Sequence, residues 1–103
     1  MDISKYPPST QLNRAFEILR VLFAAGPLGL PPAALVKATN LPASYITQQL
    51  GQLANLDVVE EVGESGHWRP GLRWARMAMS LSTSITRDLD ALQEYQQRVT
   101  RAH

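Results

Sequence analysis

Residues 43–53 read ASYITQQLGQL, and their spacing predicts the helix on which the fold depends. Ile46, Leu50 and Leu53 stand at i, i+4 and i+7, so they share one narrow apolar face of a helix. The opposite side carries hydrogen-bonding groups and no charge. It comprises Ser44, Gln48, Gly51, Gln52 and Asn55, with Tyr45 and Thr47 on the flanks. The pattern is typical of the third helix of a helix-turn-helix.

Two helices are predicted before this segment. Ser9 or Thr10 can cap the first, which ends at the glycines and prolines of AGPLGLPP, residues 25–32. Its apolar positions predict one buried stripe, formed by Leu12, Ala15, Phe16, Leu19, Leu22 and Phe23. The second helix starts at Pro32, whose missing N–H costs nothing in a first turn, and turns Leu35 and Ala38 inward. Asn40 then tolerates the left-handed conformation that a sharp turn requires.

A hairpin and further helices are predicted after residue 56. DVVEEV and HWRP have strand character and flank the turn GESG at residues 63–66. The next segment, GLRWARMAMSLSTSI, returns to helical spacing, and one more helix runs from Ser84 to Arg101. Its apolar side contains Ile85, Leu89, Leu92 and Val99, interrupted by Gln96. Trp68 and Trp74 are predicted to pack the hairpin onto the helices.

The predicted order of elements is that of a winged helix-turn-helix, a mainly α fold with a small β-hairpin, followed by a C-terminal helix. We expect a flexible arm over residues 1–8, the winged domain over 9–80 and the C-terminal helix over 81–103. The apolar side of that last helix has little core left to cover. We therefore expect a homodimer formed through it, with folding back on its own domain as the alternative.

Composition narrows the functional classes. The chain has 103 residues, no cysteine and a formal net charge of only +1, so disulfides and thiolate metal sites are excluded and bulk charge does not indicate nucleic acid. The N-terminus does not resemble a signal peptide, and no apolar run approaches the roughly 20 residues of a membrane helix. We expect a cytoplasmic protein without membrane contact, cofactor or metal. No arrangement of His, Asp or Glu indicates an enzyme.

Charge is nevertheless segregated along the chain. Residues 57–65 hold four acids and no base, whereas residues 67–103 hold six arginines and three acids. Such a basic segment is either a solvated surface or a binding surface for phosphates.

Three segments together resemble the N-terminal DNA-binding domain of IclR-type transcriptional regulators. NRAFEILRVLFAAGPLGL is similar to the first helix of that family, ATNLPASYITQQLGQL to its helix-turn-helix and HWRPGLRWARMA to the strand and helix behind its wing. The resemblance covers about residues 10–80 and implies a winged helix that binds double-stranded DNA. Family members usually continue into a ligand-binding domain, whereas this chain ends at His103, so we expect a stand-alone domain without metabolite sensing.

The chain also departs from the family on the third helix itself. Ala43 stands where the family often has lysine, and Gln48 stands where it often has arginine. Both differences remove positive charge from the predicted reading helix. Pro31 and Pro32 also depart from the family's usual cap of the second helix.

Candidate DNA contacts follow from the helix face and from the resemblance. Gln48 can pair with adenine, and we expect Ser44, Tyr45, Thr47 and Gln52 beside it in the major groove. Phosphate contacts are expected from Arg14, by resemblance, and from Lys37; on the wing, Arg69 and His67 are expected at the backbone or minor groove. The function predicted is sequence-specific transcriptional regulation. The alternative is a winged-helix module that binds proteins, for example a phage or mobile-element protein acting on a host complex.

Overall fold

A computed structural model describes residues 1–101, and within them the chain forms four α-helices and one hairpin. The predicted segment 81–103 includes residues 102 and 103, which lie outside the described residues. In chain order the elements are a short 3-10 helix Ile3–Lys5, α1 Thr10–Ala25, α2 Pro32–Thr39, α3 Ala43–Asn55, β1 Val59–Glu61, β2 Trp68–Pro70 and α4 Leu72–Arg101.

The first two helices begin and end as the local chemistry predicts. Ser9 caps α1, because its side-chain oxygen accepts a hydrogen bond from the Leu12 amide at 3.0 Å. Pro32 occupies the first position of α2, where a backbone N–H would have no partner in the helix. Asn40 ends α2 in the left-handed conformation, with φ 61° and ψ 21°, and so directs the chain into α3.

The hairpin is antiparallel and is attached to the loop that follows α1. Glu60 lies opposite Arg69 in the register of β1 and β2. Leu30 adds an isolated bridge to Trp68, through backbone N–O distances of 2.8 and 2.7 Å. The loop passes so close here that a side chain at Gly29, whose φ is +77°, would meet the Trp68 carbonyl. The hairpin therefore closes one side of the helical core.

One apolar cluster joins α1, α2, α3 and β1. Its buried residues are Ile18, Leu22, Leu35, Ile46, Leu50, Leu53 and Val59, and Trp68 packs against it from the hairpin. The predicted inner face of α3 is confirmed, since Ile46 and Leu50 are almost completely buried. Helices, turn and hairpin together form the predicted winged helix-turn-helix, and α4 follows it.

The predicted buried stripe of α1 was wrong in part. Leu12 and Phe16 are 60% and 63% exposed, and Phe23 is 40% exposed, whereas Ile18 and Leu22 are fully buried. Helix α1 is apolar on two adjoining faces, and periodicity alone does not say which of them turns inward. The tertiary packing turns the face with Ile18 and Leu22 inward. The face with Leu12, Phe16 and Phe23, here called the Phe16 face, stays largely exposed within residues 1–101.

Two smaller predictions also need correction. Ala38 was expected on the inner face of α2 but is exposed, and Val36 packs against the core beside Leu35 instead. The two helices predicted between residues 71 and 101 are one continuous helix, α4. No glycine or proline interrupts the chain after Gly71, so no local signal ends the helix earlier.

Helix α4 contacts the rest of the chain near its start. Trp74 packs edge-to-face on Phe23 with ring centroids 5.5 Å apart, and Arg73 donates a hydrogen bond to the Leu56 carbonyl at 3.3 Å. Within the described residues none on α4 is buried, so the predicted apolar side of this helix is uncovered in the single chain. Among the described residues, the helices lack the continuous apolar stretch that spanning a bilayer would require.

Candidate nucleic-acid interface

The polar residues that the sequence placed on the outward face of α3 are exposed to solvent in the structure. Ser44, Gln48, Gln52 and Asn55 are exposed, while Ile46 on the opposite side is completely buried. Four polar side chains therefore stand in solvent on a helix that is fixed to the core from behind. Amide and hydroxyl groups on such a rigid element can pair with base edges in a major groove.

Two residues of α3 differ from the simple pattern of two faces. Gln49 is only 5% exposed. Its burial could not be predicted from the sequence, because a glutamine beside an exposed glutamine gives no signal of burial. Thr47 is exposed, but its hydroxyl donates a hydrogen bond to the Ala43 carbonyl at 3.1 Å. Thr47 can therefore offer only acceptor capacity to a ligand while that bond is kept.

The start of α3 presents free backbone donors. Pro42 precedes the helix and makes no side-chain cap, and Ala43 and Ser44 are exposed. The first-turn amides of a helix have no partner inside it, and their direction favours an anion. This end of α3 is therefore compatible with a phosphate next to the polar face.

The structure brings Arg14 of α1 to the flank of α3. Its guanidinium carbon lies over the Tyr45 ring, 5.1 Å from the ring centroid. Both residues were predicted as DNA contacts, but their contact with each other was not. The resemblance placed a phosphate contact at Arg14 without saying which part of the fold would face it.

The cation expected on α2 is accessible. Lys37 is exposed in the last turn of that helix, immediately before the turn at Asn40. Its ammonium group takes part in no ion pair within residues 1–101. Lys37 can therefore approach a phosphate without first leaving a carboxylate.

The hairpin is less favourable for DNA binding than its sequence predicted, because its arginine already has partners. Arg69 pairs with Glu60 across the strands, with 3.0 Å between Nε and Oε1, and also donates to the Pro27 carbonyl at 3.3 Å. Glu61 and Glu64 are exposed on the same hairpin, whereas His67 is half-buried. A phosphate contact by Arg69 would require its guanidinium to be shared with, or released from, Glu60.

A comparison with solved structures supports the fold. The chain is similar to HmgR of Pseudomonas aeruginosa, with a TM-score of 0.63 and 18% sequence identity, over 70% of this chain. The match covers 29% of the HmgR chain, so it concerns less than a third of that protein. No family model and no curated protein matches the sequence.

Proposed function

We propose that this chain is a sequence-specific DNA-binding regulator of transcription that reads the major groove with the exposed face of α3. The observation that carries the proposal is the rigid, uncharged polar face formed by Ser44, Gln48 and Gln52 on the third helix of a winged helix. Gln48 is the central residue of that face and the one whose amide can make two hydrogen bonds to adenine. The fold is similar to that of HmgR over 70% of the chain, and the resemblance of the sequence to IclR-type DNA-binding domains supports the same general role.

Affinity in this proposal comes from cations on other elements. Residues 38–66 contain no lysine or arginine, so α3 itself supplies no positive charge. Arg14 beside α3 and Lys37 at the end of α2 are assigned to phosphates. Arg69 and His67 are assigned a secondary contact at most, because Glu60 already neutralises Arg69. So few cations imply a modest salt dependence, about one unit of slope for each phosphate neutralised.

A second copy of the chain would complete the binding unit. The exposed Phe16 face of α1 and the apolar side of α4 meet where Phe23 packs on Trp74. Helix α4 has 30 residues and is therefore about 45 Å long. Pairing of two such helices side by side in the same direction would bury these faces and place two α3 helices on one side of the dimer, suited to a roughly palindromic site.

The second candidate function is protein binding, and the acidic hairpin favours it. Glu61 and Glu64 are exposed there, and the only arginine of the hairpin is paired. A neutral α3 face and an acidic wing are complementary in charge to a basic protein surface. In this alternative the chain would modify a host complex without contacting DNA.

An electrophoretic mobility shift separates the two functions. The full chain is titrated against random genomic fragments at about 50 and 200 mM salt, where a few phosphate contacts change affinity measurably. Binding that weakens with salt supports the DNA-binding regulator, and selection of bound sites from a random pool then identifies its operator. A folded protein that shifts no fragment at the lower salt concentration would overturn the proposal and leave the protein-binding module.

A further inference from the structure

Tyr45 presents its ring to the surface but not its hydroxyl. The residue is half-buried on the flank of α3, and its Oη atom is buried with no hydrogen-bond partner within residues 1–101. A buried hydroxyl does not reach a nucleotide edge or a phosphate unless the side chain leaves its place. What Tyr45 offers at the surface is therefore the face of its ring, and Arg14 lies over that face.

Arg14 keeps its donors available in this position. It is exposed, and within the described part of the chain it forms no ion pair and its side chain donates no hydrogen bond. An aromatic ring attracts a guanidinium through its quadrupole and occupies no oxygen acceptor position. The guanidinium can therefore be held by Tyr45 and still donate to a phosphate with the geometry that arginine prefers.

The position of this contact matters because α3 lacks cations of its own. Tyr45 and Gln48 are three residues apart on the helix, so their side chains are neighbours on its surface. The Tyr45 ring thus holds a positive charge from α1 next to the residue assigned to base reading. Because the Arg14 side chain is already ordered before DNA binds, less conformational entropy is lost on binding.

We propose that Tyr45 is a positioning residue that holds Arg14 at the edge of the α3 face, where Arg14 binds a DNA phosphate. The inference rests on the proposed DNA binding and reassigns Tyr45, which the sequence placed among the direct contacts. The ring carries this role, and the hydroxyl has none. Loss of the ring should therefore have the same effect on DNA binding as loss of Arg14.

The test compares four variants of the full chain: Tyr45→Phe, Tyr45→Leu, Arg14→Gln, and Tyr45→Leu with Arg14→Gln. Binding to a labelled random-sequence duplex is measured by fluorescence anisotropy over a series of salt concentrations. Circular dichroism melts show that each variant is folded. Because the duplex has no defined sequence, the measurement isolates contacts to the phosphate backbone.

Tyr45→Phe should match the unmodified chain in affinity and in salt slope. Tyr45→Leu and Arg14→Gln should each reduce the salt slope by about one unit per bound chain. The double variant should lose no more than either single variant, because both changes remove the same contact. If Tyr45→Leu does not fold, Tyr45→Met takes its place, because it also removes the ring and keeps an apolar side chain of similar length.

Three results would overturn the inference. Weakened binding by Tyr45→Phe would show that the hydroxyl contacts DNA. An unchanged salt slope in Arg14→Gln would show that Arg14 does not bind a phosphate. A loss of affinity in the double variant equal to the sum of the two single losses would show that Tyr45 does not act through Arg14. Each of these three results leaves DNA binding by the chain intact, whereas failure of the unmodified chain to bind the duplex at low salt would overturn both proposals.

Discussion

Phe23 of α1 and Trp74 of α4 meet edge-to-face, with their ring centroids 5.5 Å apart and an interplanar angle of 69°. This contact fixes the start of the long C-terminal helix against the winged domain. It also connects the exposed apolar face of α1 to that of α4. The two side chains are separated by 51 residues in the sequence, and together with the hydrogen bond from Arg73 to the Leu56 carbonyl they hold the start of α4 in its direction.

Phe23→Ala should lower the free energy of unfolding by about 1–2 kcal/mol, since an edge-to-face pair and partial burial are both lost. The loss is smaller than for a core phenylalanine because Phe23 is 40% exposed. Urea denaturation measures it. Leu28→Ala is the control, because Leu28 is 83% exposed and its truncation should change stability by less than about 0.5 kcal/mol. Equal, negligible effects of both substitutions would contradict a structural role for the aromatic pair.

Gly71→Ala should destabilise the protein by about 2 kcal/mol, because extra atoms in a packed site force the backbone to shift. Gly71 is buried, and a side chain there would collide with the carbonyl of Asp57. The matched substitution Gly51→Ala should stabilise by about 0.5–1 kcal/mol, because a helical glycine becomes alanine. Nothing lies within 4 Å of the added methyl group at Gly51. Both changes in the free energy of unfolding are measured by chemical denaturation. A lower stability of Gly51→Ala would show that neighbouring atoms occupy the space beside Gly51.

Gln48→Ala should weaken binding to the selected operator by about 1–3 kcal/mol, roughly 5- to 150-fold, since a bidentate base contact is lost. Binding to random DNA should hardly change, because Gln48 carries no charge. Gln93→Ala on the exposed surface of α4 provides a control of the same chemistry away from α3. Anisotropy titrations with both duplexes give the two losses side by side. Equal losses on operator and random DNA would argue against base reading by Gln48.

Glu60→Gln should strengthen binding to random DNA and steepen its salt dependence by up to about one unit, because Arg69 then has no carboxylate partner. Arg69→Gln should leave the slope nearly unchanged, since in the intact protein Glu60 already neutralises that charge. The pair is more than a third exposed on both sides, so neither substitution should change stability by more than about 1 kcal/mol. If Arg69→Gln instead reduces the salt slope of DNA binding, Arg69 contacts a phosphate, as the sequence predicted.

Leu92→Glu should convert the proposed dimer to a monomer in sedimentation velocity experiments, because a charge on the apolar side of α4 opposes its burial. Thr83→Glu, on the opposite side of the same helix, should leave the dimer intact. The chain has no cysteine, so single cysteines report the arrangement directly. In a parallel pair each residue of the seam meets its own copy, and Gln96→Cys should cross-link on mild oxidation whereas Thr83→Cys should not. A monomeric unmodified chain would rule out the proposed dimer.

Much of the fold could be predicted because several signals are local. The Ser9 cap, Pro32 at the start of α2 and the left-handed Asn40 depend on backbone chemistry within a few residues. The two faces of α3 could be predicted as well, because its apolar residues occupy a single narrow sector. The exposure of Ser44 and Gln48 follows directly from that arrangement.

Other features could not be predicted, because the same sequence pattern is compatible with two different packing arrangements. Helix α1 carries apolar residues over a wide arc, and only packing against α2, α3 and the hairpin turns Ile18 and Leu22 inward instead of Phe16. The pairing of Arg69 with Glu60 likewise depends on strand register. The sequence shows an arginine and several acids on the hairpin, but not which of them meet.

By itself, then, the sequence determined where α1, α2, α3 and the hairpin lie and which side of α3 faces solvent, since these features depend on residues within two turns of one another. Only the tertiary structure decided how α1 is rotated, that Arg14 lies over Tyr45, and that Glu60 neutralises Arg69. These three outcomes join residues from different elements. They arise when the whole core is packed at once, because each helix can be turned only as far as its neighbours allow.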